Sequence, residues 1–244
     1  MQKRTFWTLQ RFTGLTLIVG CCLFLLAAGL IPQDAQGNFS ITLPPRAALL
    51  VIAGQTTRAA WSTSLFISGV LVTTLGLALL SRLLWDRAER LCSYLALITS
   101  LLGAVLLVSF LACKLGVDPL AAQATLSTGT VPDYYEALTR WTTGLFRVYT
   151  PLAFLALMLY GAAFVVSRLL PRWLGWTAIV YGLAGLGFFA YAKDVPPFVH
   201  YLLPIVMGVL LLLPRAQAPP GSRPETSPRG ASPPVPEQAS RVPG

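Results

Sequence analysis

The chain has 244 residues; 55% are hydrophobic, only 11% are charged, and the formal net charge is +9. Soluble domains carry about 25% charged residues, so this balance excludes an ordinary soluble fold and, for most of the chain, disorder. One histidine and four cysteines without metal-ligand or redox spacing assemble no zinc or haem set, and no cofactor is expected. A multi-spanning membrane protein remains.

Residues 1–12 form a basic N-terminus, and six apolar stretches follow it. They cover residues 13–31, 60–81, 91–113, 148–167, 173–192 and 197–213, within a membrane domain of residues 13–214. About 20 apolar residues cross the ~30 Å of hydrocarbon, so the last stretch is short and needs little tilt or some local thinning. Ile18-Val19-Gly20-Cys21 resembles a lipoprotein cleavage box, but the apolar run continues to Ile31, which favours a retained first span. Residues 47–54 suit a short surface helix.

Basic residues set the orientation. With the N-terminus inside, the inner segments hold Lys3, Arg4, Arg11, Arg82, Arg87, Arg90, Arg168, Arg172, Arg215, Arg223, Arg229 and Arg241. The outer segments hold Arg46, Arg58, Lys114, Arg140, Arg147 and Lys193, twelve against six. The expectation is an all-α integral membrane bundle of six transmembrane helices, N-in and C-in. All six tryptophans (Trp7, Trp61, Trp85, Trp141, Trp173, Trp176) fall near span ends, as indole rings at headgroup level should. The basic residues are spread over separate loops, so nucleic acid is not an expected partner. The lipid bilayer is.

Between the third and fourth spans the pattern predicts an outer amphipathic helix. Asp133 and Glu136 follow Pro132 at capping-box spacing. Tyr134, Leu138, Trp141, Leu145 and Val148 form the apolar stripe, and Glu136, Arg140, Thr143 and Arg147 the polar one. Glu136 and Arg140 stand in the favourable i,i+4 order. Such a helix lies on the surface or leads into the fourth span. It anchors at the interface or serves as a lid over an outward pocket.

Pro151 and Pro204 are expected to break the fourth and sixth spans. Small residues recur on three spans: Ser62, Gly69, Thr73 and Gly76; Cys92, Ala96, Ser100 and Ala104; Gly175, Ala178, Gly182 and Gly185. They let helices approach, either within one bundle or toward a homo-oligomer or membrane-protein partner. Residues 215–244 are rich in proline and poor in apolar residues, and are expected to form a disordered cytoplasmic tail.

An ionisable group in hydrocarbon marks function. The first five spans contain none between their ends, and the sixth contains only His200. No buried carboxylate relay, metalloprotease set or aspartyl pair can be assembled. The remaining polar constellation is Arg140, Arg147, Asp194 and His200 at the outer face, a candidate shallow site for an anionic headgroup or small polar ligand. Three classes stay open. The favoured one is non-enzymatic, a structural, accessory or ligand-binding protein. The others are a transporter or permease-like protein for an apolar or weakly polar solute, and an enzyme at the outer interface acting through His200.

Leu170-Pro171-Arg172-Trp173-Leu174-Gly175-Trp176, followed by a Gly-rich span, resembles a turn of bacterial polytopic membrane families of unknown function with six or seven spans. The resemblance implies a bacterial cytoplasmic membrane location and no particular activity or site. Arginine outnumbers lysine, as in GC-rich bacterial genomes.

Overall fold

The computed structural model describes residues 2–85, 90–167, 169–192 and 195–213, with residues 2–7 described through their backbone alone. The tail expected over 215–244, together with Asp194 and Arg168, lies outside the described residues. The fold is all-α. Its helices are α1 (Gln2–Gly29), α2 (Pro45–Gly54), α3 (Thr56–Trp85), α4 (Arg90–Thr128), α5 (Asp133–Ser167), α6 (Arg172–Ala192) and α7 (Val199–Leu212). Five of them, α1 and α3 to α6, are long and apolar enough to cross a membrane, which makes this a membrane protein.

Successive long helices pack as antiparallel neighbours, and α7 returns to pack on α1. Where helix faces meet, glycine sets the distance. Lipid tails are as apolar as leucine, so tight backbone contact rather than hydrophobic burial drives this packing. On α5 and α6, a Cβ added at Gly161 would sit 2.7 Å from the Gly175 carbonyl oxygen. One added at Gly175 would sit 2.8 Å from the Gly161 carbonyl oxygen. On α1 and α7, Gly14 and Gly208 form the same reciprocal pair, at 2.7 and 2.8 Å. On α3, Gly69 faces the Phe24 amide and Gly20 carbonyl of α1, and Gly76 faces Leu17. The small-residue faces of α3 and α6 are therefore occupied within the chain. Large apolar residues such as Leu26, Leu102, Val105 and Val180 point outward, as do Trp61, Trp141, Trp173 and Trp176.

Three elements correct the sequence reading or decide between its alternatives. First, α4 does not stop at Cys113. It runs through Lys114, Asp118 and Pro119 to Thr128, 39 residues and ~58 Å, about twice the hydrocarbon thickness. The extension is paid for by packing: Ala121, Ala122 and Tyr135 cluster with Leu49 and Ile52 of α2. The segment over 47–54 thus belongs to a small cap of α2, the end of α4 and the start of α5. Second, α5 is one unbroken helix, so the outer amphipathic segment leads into the fourth span. Its buried residues are Tyr135, Thr142 and Tyr149, while Tyr134, Trp141 and Val148 of the expected stripe are exposed. The most apolar face turns to lipid and interface, and the face with hydroxyls turns to the bundle. Third, Pro151 and Pro204 lie inside α5 and α7 without ending them. A membrane helix tolerates proline where its neighbours satisfy the freed carbonyl.

The loop between α1 and α2 is fixed by local bonds. Arg58 donates to the carbonyls of Leu30 (3.2 Å) and Gly29 (3.3 Å), closing the end of α1 with a cation. Asp34 accepts from the Asn38 side chain and from the Gln36 and Asn38 amides, and these bonds hold its carboxyl below the usual aspartate range.

The glycine contacts generate a test. Gly161→Leu forces a side chain against backbone and should cost about 1–3 kcal/mol. Gly187→Ala, where an added Cβ meets nothing within 4 Å, should be neutral. Reversible unfolding in mixed micelles measures both; equal stability of the two variants would refute the close α5–α6 contact.

Candidate functional site

The site begins with the short α7. Its 14 residues rise ~21 Å, less than the ~30 Å of hydrocarbon. Pro196 and Pro197 cannot donate backbone bonds, so the helix starts only after them. Its C-terminal end is fixed by Gln10, whose Nε2 donates to the Leu211 carbonyl at 2.9 Å. Leu213 therefore leaves at the end of the bundle where α1 begins. Toward the other end Tyr201 stacks on Phe24 of α1, with ring centroids 3.8 Å apart. Helix α1 continues from Phe24 to Gly29, roughly 8 Å further out. The start of α7 is thus recessed into the bundle. Val195, in the non-helical segment before it, is buried in the main core. Irregular backbone at this depth is tolerated where protein covers it. The Tyr181 hydroxyl of α6 donates to the Val199 carbonyl at 2.6 Å, tying the entry of α7 in place.

His200 sits in this recessed turn and is only 5% exposed. Its ring lies 4.4 Å from Phe154 and 5.4 Å from Tyr149, centroid to centroid. Nδ1 is 3.2 Å from the Pro197 carbonyl oxygen. A carbonyl only accepts, so Nδ1 carries the proton and Nε2 presents a lone pair. Among the described residues that Nε2 is buried and has no hydrogen-bond partner.

His200 lines a cavity of about 60 Å³, open on one side, between α3, α4, α5 and α7. A single water needs about 10–15 Å³ on this measure, so there is room for several waters or one small polar head. The polar part of the wall is Thr73, Thr74, Thr99, Ser100, Tyr149, Tyr160 and Tyr201, and among the described residues no lining residue carries a carboxylate, ammonium or guanidinium. Tyr160 is fully buried; its hydroxyl lies 2.8 Å from Ser81 Oγ and 3.1 Å from the Leu77 carbonyl oxygen. Ser81 donates to Tyr160, and Tyr160 donates to Leu77. This chain joins α3 to α5 beneath the cavity.

The expected site residues that the structure describes have separate surroundings. Arg140 forms the predicted i,i+4 pair with Glu136 at 2.7 Å, and both side chains are exposed. Arg147 is exposed on α5, and among the described residues no hydrogen bond or ion pair joins it to His200. Asp194 lies outside the described residues. His200 lines the interior cavity rather than an outer surface. A second polar group sits in the cap: Asp118 pairs with Lys114 and accepts from the Tyr135 hydroxyl, each at 3.4 Å. Burial, and then the Asp118 charge, raise the Tyr135 phenol above its ordinary range.

The cavity hydroxyls were open to sequence reasoning only in part. Thr73 and Ser100 stand out there as packing residues, but their shared depth with Tyr149 and His200 depends on where each helix is pinned. No family model, curated protein or solved structure matches the chain.

The Ser81–Tyr160–Leu77 chain yields a prediction. Tyr160→Phe should destabilise the protein by about 0.5–1.5 kcal/mol. A double-mutant cycle with Ser81→Ala should give a coupling near 0.6 kcal/mol, typical of hydrogen bonds between membrane helices. Strictly additive single-variant losses in a denaturant titration would contradict a shared bond.

Proposed function

We propose that the chain is a non-enzymatic, multi-pass protein of a bacterial cytoplasmic membrane that holds a ligand inside its helix bundle. One observation carries this reading: a His200 Nε2 that is buried and has no partner among the described residues, on the wall of a cavity inside the bundle. An unmade hydrogen bond on a buried polar atom costs about 1–3 kcal/mol. A bound group that supplies the missing bond recovers that energy. Of the four expected site residues, His200 is the ligand contact in this reading. Arg140 and Arg147, exposed on α5, suit anionic headgroups at the interface. A permease for a weakly polar solute is the second reading. The depth of the cavity favours it, because transporters place their sites within the bundle between helices.

Native mass spectrometry of the full chain released from nanodiscs tests the proposal. The wild type should carry a discrete added mass that Ala104→Leu, which fills the cavity wall, does not carry. Bare protein for both would defeat the ligand-binding reading, and a mass retained equally by both would place the ligand elsewhere.

A further inference from the structure

The hydrogen-bond directions on the cavity wall decide what fits. Thr74 donates its hydroxyl proton to the Val70 carbonyl, Thr99 to Leu95 and Ser100 to Ala96, each at 2.7 Å. Tyr160 donates to Leu77. These oxygens have no proton left and turn only lone pairs to the cavity. His200 adds the Nε2 lone pair, fixed by its Nδ1–H bond to Pro197. Tyr149 and Tyr201 add two phenol hydroxyls to the same wall, each able to donate or accept. The wall therefore combines fixed lone pairs with the hydroxyls of Thr73, Tyr149 and Tyr201, which donate to no carbonyl among the described residues.

Charge narrows the class further. A cation would be attracted by lone pairs, but among the described residues the lining holds no carboxylate, and an unpaired ion in a low-dielectric site is costly. An anion would meet no ammonium or guanidinium among the described lining residues. An uncharged group that donates one hydrogen bond and accepts one satisfies the wall. A hydroxyl does both. The volume of about 60 Å³ takes a hydroxyl head and not a ring system, and the open side lets a chain leave. Resting on the ligand-binding reading above, we propose that this cavity binds the hydroxyl head of an uncharged alcohol, donating to His200 Nε2, with its apolar tail leading out among the helices.

His200 is the only histidine, so ring-labelled ¹⁵N-histidine gives one ring and two resonances. The full chain in nanodiscs is titrated with 1-octanol and, separately, with heptyl methyl ether. The two probes match in length and differ in the donor. Octanol should move the pyridine-type Nε2 resonance in a saturable way and leave the pyrrole-type Nδ1 nearly unchanged. The ether should move neither. His200→Phe should weaken octanol binding, read by saturation transfer, by several-fold to about tenfold. The wild-type titration needs no variant, so poor folding of His200→Phe leaves the test intact.

An Nε2 response to both probes would overturn the donor requirement while leaving the cavity a ligand site. An Nε2 already bonded to water and indifferent to octanol would overturn the alcohol site, and the added mass in native spectra would then decide the broader reading separately. A pyrrole-type Nε2 would overturn the acceptor assignment from which the ligand class follows.

Discussion

Backbone-to-backbone approach at glycine is the constraint on which the rest of this structure depends. The Gly14–Gly208 pair draws α7 against α1, and Gly161–Gly175 locks α5 to α6. Gly20, Gly69 and Gly76 seat α1 on α3. No hydrophobic gradient holds helices together inside a bilayer, so van der Waals contact at these points carries much of the packing. Any larger residue at a reciprocal pair must move a backbone rather than a side chain.

That packing fixes depth, and depth makes the site. α7 is too short to reach both faces, and its C-terminal end is pinned by the Gln10–Leu211 bond and the Gly14–Gly208 contact. The shortfall therefore appears entirely at its other end. There the Pro196-Pro197 pair starts the helix late, and His200 in its first turn lands beside Tyr149, Phe154 and the hydroxyls of α3 and α4. The same wall positions would be mere spacing residues if α7 slid outward by two turns. The cap of α2, the end of α4 and the start of α5 is a separate cluster, held by apolar packing and by the Lys114–Asp118–Tyr135 group.

Much of this was legible in the sequence, and the misses have physical causes. Long apolar runs gave the helices because nothing else satisfies the backbone in lipid. The Glu136–Arg140 pair followed from spacing alone. Helix α4 beyond Cys113 was hidden because Lys114, Asp118 and Pro119 resemble a span end, whereas burial of Ala121 and Ala122 under α2 keeps the helix going. The orientation of α5 was hidden because apolarity points toward lipid as readily as toward a core. His200 was visible as the one ionisable group within a span, but its burial and its missing partner were not. Both depend on where the far end of α7 is held, which is a tertiary fact.

The central claim is that His200 is recessed inside the bundle and not at the membrane surface. Carbethoxylation of the lone histidine by diethyl pyrocarbonate tests this directly, followed by mass spectrometry on the full chain in nanodiscs. The account predicts that His200 stays unmodified in the folded protein and reacts once the chain is unfolded in detergent. Modification of the folded protein at the rate of a free histidine would contradict it, and with it the cavity on which the functional reading stands.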